Sequence, residues 1–252
     1  MARALGIDIG GSGIKAALVE LATGSLVTDR QRAPTPRPAT PAAVAGEVRK
    51  LVRSFEWSGL IGATFPAVVQ HGVAHTAANV DPSWIGTSVA ATLSDAAGVA
   101  VAVLNDADAA GVAEMSFGVA KGVAGTVLLL TFGTGIGSAL FTDGVLVANT
   151  EFGHLQLDGF DAEKRAAESV RERDGLSWAK WAERVQAYLA HLEMLFTPDL
   201  FIVGGGASKH PEKWVPKLEL RAPVRVAAFG NNAGILGAAL VAEQSAPVTT
   251  GS

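Results

Sequence analysis

The sequence contains no cysteine among its 252 residues. Disulfide bonds and thiolate metal sites are therefore excluded. Charged residues make up only 17% of the chain, and no apolar run reaches the roughly 18 residues that a membrane-spanning helix needs. The first residues, MARALGIDIGG, enter an apolar strand without the hydrophobic region of a signal peptide. We therefore expect a cytoplasmic protein that does not associate with membranes.

Positive charge is also scarce. The chain has 20 Lys and Arg against 24 Asp and Glu, which gives a net charge of −4. Proteins that bind nucleic acids usually present a strongly basic face, so we expect no nucleic-acid partner. The sequence is instead rich in glycine, with 29 residues, and 49% of its residues are hydrophobic. This composition is typical of an α/β enzyme.

The most informative stretch places two polar residues between a strand and a helix. Asn105 and Asp106 follow the apolar run at 101–104 and precede the Ala-rich run at 107–117, which ends at Gly118. Ligands of open α/β sheets bind beyond the carboxyl ends of the strands, and a helix N-terminus favours an ionised carboxylate. Asp106 is thus a candidate general base. The alternative is that Asp106 or Asn105 only caps the helix.

Two segments share the pattern of a strand, a glycine-rich turn and a returning strand. The first turn, at positions 10–13, lies between Asp8 and Lys15, and the second is the run TFGTGIG at 131–137. Glycine lets the backbone approach a phosphate closely and leaves N–H groups to donate. Strands follow both turns, so neither is a Walker loop or a Rossmann fingerprint. The alternative for the first turn is an ordinary tight hairpin in which Asp8 is incidental.

The repeated pattern predicts an internal duplication into two related α/β halves. We divide the chain into residues 1–118 and 119–252, with each half contributing one glycine-rich hairpin to a common cleft. A third glycine run, at 204–206, ends another predicted strand and could also approach a phosphate. A final helix over about 231–243 could pack back on the first half, and the tail from 244 is expected to fray.

Several other elements are predicted from periodicity. A third strand is expected over 26–30 and a charged helix over 161–173. A longer helix over 178–196 carries an apolar stripe that includes Trp178, Trp181 and Tyr188. This stripe indicates either core packing or a subunit interface, and we favour the core.

Two polar segments are suited to a sugar. Asn79 and Asp81 lie in a loop beside Trp84, whose ring either covers a sugar face or anchors the loop. Glu151 and His154 are three residues apart, close enough to converge on one small ligand. Two such ligands without cysteine make a structural zinc site improbable.

Taken together, these motifs resemble the actin–hexokinase superfamily, with its ribonuclease H-like ATPase fold of two α/β lobes around a central cleft. More narrowly, the chain resembles the ROK family of bacterial sugar kinases. The matching motifs are DIGGSGIK at 8–15, LNDADAA at 104–110, TFGTGIG at 131–137, EFGH at 151–154 and IVGGG at 202–206. Within the family, TAANVDPSWIGT and NTEFGHLQLDGFDAEKRA resemble the polyphosphate glucokinase and polyphosphate/ATP glucomannokinase group.

The resemblance implies phosphorylation of glucose, and in some members mannose, at the 6-hydroxyl with polyphosphate or ATP. It implies Asp106 as the general base and Mg²⁺ as the cofactor, oriented by Asp8 through water. The sugar-binding residues implied are Asn79, Asn105, Asp106, Glu151 and His154. The phosphate-binding residues implied are Asp8, Gly10, Gly11, Ser12, Gly13, Lys15, Thr131, Gly133, Thr134, Gly135, Gly204, Gly205 and Gly206. A homodimer is also expected by analogy.

One departure concerns zinc, because many family members carry a cysteine-rich zinc motif soon after the histidine. Without cysteine, the resemblance implies no zinc site and a direct contact between His154 and the sugar. The further sugar-binding glutamate of the family follows that motif, and Glu163 and Glu168 are the candidates for it here.

The phosphoryl donor, the rank order of sugars and the number of subunits stay open at this point. One alternative is an ATP-only kinase for another hexose or an N-acyl hexosamine, and another is a non-catalytic sugar sensor. Polyphosphate has no base or ribose, so its affinity would have to come from Lys and Arg along a groove. Candidates are Lys15, Lys121, Lys164, Arg165, Arg171, Arg173, Lys209 and Lys213, and each could equally be an ordinary solvated charge.

Overall fold

A computed structural model describes residues 2–244 of the chain. Within that range the chain forms two compact units, residues 2–113 with 231–244 and residues 114–230. The boundary falls inside a helix, so the two units share a continuous element and the sequence offers no linker to mark it. The division predicted after residue 118 lies five residues later in the chain. Of the tail from 244 that we expected to fray, Gln244 is the last residue of the final helix, and residues 245–252 lie outside the described residues.

The helices are α1 (Pro41–Ser54), α2 (Val89–Ala97), α3 (Asp106–Ser116), α4 (Glu163–Ala166), α5 (Glu168–Arg173), α6 (Trp178–Phe196) and α7 (Ala233–Gln244). The strands of the first unit are β1 (Arg3–Ile9), β2 (Ile14–Glu20), β3 (Ser25–Leu26), β4 (Gln31–Ala33), β5 (Leu60–Phe65), β6 (Val69–Gln70), β7 (Val73–Ala74) and β8 (Val101–Asn105). Those of the second are β9 (Thr126–Phe132), β10 (Ile136–Thr142), β11 (Val145–Val147), β12 (Gln156–Leu157), β13 (Phe160–Asp161), β14 (Leu200–Gly205) and β15 (Val224–Val226).

The main sheet of the first unit has the order β3-β2-β1-β5-β8, with β4 also paired to β2. β1 is antiparallel to β2 and parallel to β5, which is parallel to β8. The continuous third strand predicted over 26–30 is wrong. β3 and β4 instead pair with opposite ends of β2, and the Thr28 hydroxyl between them accepts a hydrogen bond from the backbone N–H of Leu18.

The final helix, α7, packs on the first unit. A Cβ on Gly6 would collide with the carbonyl group of Ile235, and one on Gly62 with that of Ala238. Glycine at these two strand positions therefore lets α7 lie directly on β1 and β5. This places the helix where the sequence analysis suggested that it could pack.

The second unit repeats the topology of the first. Its main sheet has the order β11-β10-β9-β14-β15. β9 and β10 form an antiparallel hairpin, and β14 runs parallel to both β9 and β15. Each unit thus has a hairpin followed by parallel strands, and each hairpin turns at a glycine-rich segment. This repetition is the duplication that the strand–turn–strand pattern predicted.

The stripe of α6 lies in the core of the second unit. Trp181, Tyr188, Leu189 and Leu192 are completely buried, and the Trp181 ring packs edge-on against Phe132 at 5.8 Å between centroids. Trp181 and Tyr188 are therefore unavailable to a partner subunit. Met194 and Leu195, near the end of the same helix, are 66% and 50% exposed.

Within residues 2–244, none of the helices combines the length and the apolar character required to cross a lipid bilayer.

Candidate active site

Asn105 ends β8 and Asp106 begins α3. The Asn105 Oδ1 atom accepts hydrogen bonds from the backbone N–H groups of Ala107 at 2.8 Å and Asp108 at 3.3 Å. Its amide nitrogen donates to the Ala67 carbonyl oxygen at 3.1 Å. The two bonds that Oδ1 accepts mark Asn105 as the cap of α3. Only the second amide hydrogen of Asn105 stays available for a ligand.

The Asp106 side chain is exposed, and its Oδ1 accepts from the Ala107 N–H at 2.9 Å. Asn105 accepts from the same Ala107 N–H and also from that of Asp108, so Asn105 caps α3. A carboxylate fixed between a strand end and the first turn of a helix fits a general base.

The first glycine-rich turn is closed by backbone and side-chain contacts. The Gly10 N–H donates to the Gly13 carbonyl at 3.0 Å. The Thr35 hydroxyl donates to the Gly10 carbonyl at 2.5 Å, and an Arg32 guanidinium nitrogen donates to the Ser12 carbonyl at 3.3 Å. These contacts close the turn, and Arg32 brings a positive charge to it. Arg32 could not be identified from the sequence, because its position follows from the pairing of β4 with β2.

Asp8 precedes this turn and is the residue assigned to Mg²⁺. Its Oδ1 accepts from the Thr64 hydroxyl at 3.0 Å, and its Oδ2 from the Lys15 ammonium at 3.1 Å. Because both oxygens already have partners, they fit a metal ion held through its water molecules better than direct coordination. Lys15, which we assigned to phosphate, neutralises Asp8.

The loop with Asn79 lies against the first turn. A Cβ on Gly11 would lie 3.4 Å from the Cβ of Asn79, and the Asn79 side chain is exposed. Trp84 is completely buried, lies 4.5 Å from the Phe65 ring and donates to the Ala39 carbonyl at 2.9 Å. Trp84 is therefore the anchor of this loop, and the alternative that it covers a sugar is excluded by its burial.

The second glycine-rich turn is bound to the segment that follows the sugar motif. The Gly133 N–H donates to the Gly135 carbonyl at 3.0 Å. Ser169 donates through its backbone N–H to the Gly133 carbonyl at 3.0 Å and through its hydroxyl to the Thr134 carbonyl at 2.7 Å. Ser169 lies in α5, just after an interruption of the helical backbone. The single helix predicted over 161–173 is wrong, because Ala167 is extended and separates α4 from α5.

Glu151 precedes and His154 ends a 3-10 helix, Phe152–His154, in the second unit. The His154 Nδ1 atom lies 3.1 Å from an Asp161 carboxylate oxygen and 3.9 Å from one of Glu163. Its Nε2 atom lies 4.0 Å from Glu151. The β12–β13 hairpin brings Asp161 back beside His154, since Asp161 pairs with Gln156. The structure therefore surrounds the histidine with three carboxylates.

Of the two glutamates that the sequence left open, Glu163 is the one beside His154. Its Oε2 accepts from the Ile136 N–H at 3.2 Å, and a Cβ on Gly135 would collide with the same carboxylate. Glu163 thus connects the sugar motif with the second glycine-rich turn. Glu168 instead lies against Gly206, where a Cβ would collide with its carboxylate.

The carboxylates change the protonation of this cluster. The hydrogen bond to Asp161 is the main cause that raises the pKa of His154, and the nearby Glu163 adds to it. Burial is the main cause that raises the pKa of Glu151. His154 therefore keeps its second proton to a higher pH than an ordinary histidine. Its Nδ1 proton is directed at Asp161, which leaves Nε2 for a ligand.

We expect Asp161→Asn to lower the pKa of His154, because the substitution removes the carboxylate that stabilises the imidazolium. The measurement is an NMR titration of the imidazole signals, with His154→Gln used to assign the resonance. An unchanged titration midpoint in Asp161→Asn would show that Asp161 does not control the protonation of His154.

His154, Asp161 and Glu163 also offer ligand atoms within 4.8 Å of one another, an arrangement able to hold a metal ion. The 3.1 Å separation between His154 and Asp161 also fits a direct N–H···O hydrogen bond, which needs no metal ion. Both interpretations fit these distances, so the absence of a zinc site stays a prediction.

The third glycine run, Gly204 to Gly206, ends β14 and begins the 3-10 helix Gly206–Lys209. Gly204 pairs with Thr131 on β9, so the two phosphate-site candidates are neighbours. Gly205 has φ 79°, and a Cβ there would collide with Phe132. Only glycine fits that position.

The sequence profile of the ROK family matches residues 4–175. Polyphosphate glucokinase from Mycobacterium tuberculosis (strain ATCC 25618 / H37Rv) is 53% identical over 236 residues, which cover 93% of this chain and 89% of the relative.

Among solved structures, the inorganic polyphosphate/ATP-glucomannokinase from Arthrobacter sp. strain KM superimposes with a TM-score of 0.91 at 50% identity, covering 97% of this chain and 100% of that one. A ROK family glucokinase from Streptomyces griseus, in complex with glucose and AMPPNP, gives a TM-score of 0.82 at 24% identity, with coverage of 97% and 100%. The fold is thus of the predicted actin–hexokinase type.

Proposed function

This chain belongs to the ROK family, and from that premise we propose that it is a glucokinase that uses polyphosphate or ATP. It transfers a terminal phosphoryl group to the 6-hydroxyl of glucose and accepts mannose as a second sugar. The observation that carries the proposal is the 53% identity to a polyphosphate glucokinase over nearly the whole chain. The likeness to a polyphosphate/ATP-glucomannokinase at 50% identity supports both the donor and the second sugar.

In the proposed reaction, Asp106 takes the proton of the sugar hydroxyl as the phosphoryl group moves. Transition states of phosphoryl transfer are generally loose, so positioning and charge neutralisation supply most of the rate enhancement. The two glycine-rich turns, with the Thr134 side chain, hold the transferred phosphate through backbone N–H groups. Asp8 would hold Mg²⁺ through water, and the ion would supply neutralisation of the phosphate charge.

The sugar hydroxyls are bound by Asn79, the remaining amide hydrogen of Asn105, Asp106, Glu151 and His154. Glu163 is the further sugar-binding glutamate, because it lies beside His154, whereas Glu168 faces the third glycine run. A histidine and two carboxylates offer both donors and acceptors, which suits a ring of hydroxyl groups that are each donor and acceptor.

We further propose a homodimer. With Trp181 and Tyr188 buried in the core, the apolar surface at the end of α6, including Met194 and Leu195, is the part of that helix left for a partner. Light scattering at micromolar concentration should give the mass of two chains. A mass of 25.8 kDa, that of one chain, would contradict the proposal.

The acceptor is tested with a panel of sugars at fixed ATP, with the phosphorylated position assigned by NMR. Glucose should give the highest kcat/KM, with phosphate on the 6-hydroxyl. A preference for fructose or an N-acyl hexosamine would favour the alternative kinase. No sugar phosphate from any member of the panel would favour a non-catalytic sugar sensor.

A further inference from the structure

Basic side chains gather around the half-buried ring of Trp178 in the second unit. The Arg171 guanidinium lies 4.1 Å from the ring centroid and the Lys213 ammonium 5.6 Å. The His210 ring lies 5.8 Å away, and Lys209 lines the same cavity of about 420 Å³. We call Arg171, Lys209, His210 and Lys213 the basic cluster.

The basic cluster is attached to two of the glycine-rich segments. Arg171 follows Ser169 by two residues on α5, and Ser169 is bonded to the carbonyls of Gly133 and Thr134 in the second turn. Lys209 ends the 3-10 helix Gly206–Lys209, which begins in the third glycine run. Arg171 and Lys209 thus lie only a few positions along the chain from the segments that contact or form these glycine turns. A phosphate chain bound at the glycines would extend toward the basic cluster.

The charges of the cavity favour an anion. Arg171, Lys209 and Lys213 carry three positive charges against the two carboxylates of Glu168 and Glu172 in the same cavity. Arg171 is paired with Glu172 at 3.3 Å, so the excess positive charge is that of the lysines. Burial raises the pKa of Glu168, so this carboxylate takes up a proton and loses its charge at a higher pH than an ordinary glutamate does. The Arg171 Nε atom is buried and has no hydrogen-bond partner in the described part of the chain.

We propose that the basic cluster binds the distal phosphates of a polyphosphate donor, those beyond the phosphate that is transferred. This inference rests on the proposed function, in which polyphosphate is a donor. Lysine and arginine are the side chains that bind phosphate groups most readily. Lys209 and Lys213 are exposed, so their long side chains can follow a flexible polyanion that offers no base or ribose to recognise.

We expect the basic cluster to distinguish polyphosphate from ATP. ATP has three phosphates, and beyond them it presents ribose and adenine. A long polyphosphate continues to present negative charge at every unit. Cations placed beyond the glycine-rich turns therefore gain more from polyphosphate than from ATP.

The test is the double variant Lys209→Gln/Lys213→Gln, assayed with long-chain polyphosphate, tripolyphosphate and ATP. The matched control, Lys180→Gln/Lys217→Gln, removes two exposed charges of the same unit that do not line this cavity. The KM for long-chain polyphosphate should rise about 10-fold or more, because each substitution removes one ammonium group that contacts a phosphate. The slope of log KM against log salt should fall by about two, one for each lysine. The KM for ATP and for tripolyphosphate should change much less.

Arg171 is left unchanged in this test because its stacking on Trp178 also contributes to packing. If the wild-type protein makes product with ATP but none with polyphosphate, the proposed donor fails, and the cluster proposal fails with it. If the wild-type protein uses polyphosphate and the double variant matches its control in KM and salt slope, only the cluster proposal is overturned. An equal rise in KM for ATP would overturn the selective assignment. Single variants replace the double variant if circular dichroism shows that it does not fold.

Discussion

Asp106→Asn should leave a folded protein whose turnover is reduced by about 10²- to 10⁴-fold, the usual cost of removing a general base. The expected loss follows from the position of this exposed carboxylate at the junction of β8 and α3. Asparagine has nearly the same shape and can still accept from the Ala107 N–H, but it cannot take a proton. The measurement is kcat and the KM for glucose at saturating donor, and the KM should change little.

The stability of the variant separates this role from capping. Loss of a negative charge at a helix N-terminus costs about 0.3–1 kcal/mol, so the melting temperature should fall only slightly. Asn105→Ala, which removes the cap, should cost about 1 kcal/mol. Asp95→Asn, at an exposed position on α2, is the control for charge and should keep full activity. If Asp106→Asn retains a tenth or more of the wild-type kcat, the carboxylate is not the base.

The second large effect concerns the sugar motif. Glu151→Gln and His154→Ala should each raise the KM for glucose about 10- to 100-fold, since a hydrogen bond to a charged group contributes about 1.5–3 kcal/mol. The KM for the donor should stay nearly constant, because both side chains belong to the sugar motif.

His75→Ala provides the control for this test, since His75 is exposed and lies in the first unit. It should have wild-type constants for both substrates. A KM for the donor that rises as much as that for glucose would place Glu151 and His154 on the phosphate side and refute the assignment.

The local features of this fold and site could be predicted from the sequence. The two strand–turn–strand segments and the position of Asp106 follow from short patterns of apolar residues, glycine and aspartate. Such patterns determine local geometry, so the repeated hairpins appear in both sheets as expected.

Features that depend on strand pairing could not be predicted. Asp161 reaches His154 only because β12 and β13 form a hairpin, and Arg32 reaches the first turn only because β4 pairs with β2. Trp84 stands beside polar loop residues in the sequence, yet packing against Phe65 buries it. Arg32 and Ser12 are 20 residues apart, and the contact of Trp84 is made in the core. Asp161 is only seven residues from His154, but two-residue strands leave too short a pattern to predict their pairing.

The central claim is that polyphosphate can replace ATP as the phosphoryl donor to glucose. The direct measurement is the initial rate of glucose 6-phosphate formation with Mg²⁺ and long-chain polyphosphate, after apyrase has removed all nucleotide, compared with the rate with ATP alone. The account predicts a rate with polyphosphate equal to or greater than that with ATP. Formation of glucose 6-phosphate with ATP but not with polyphosphate would contradict it.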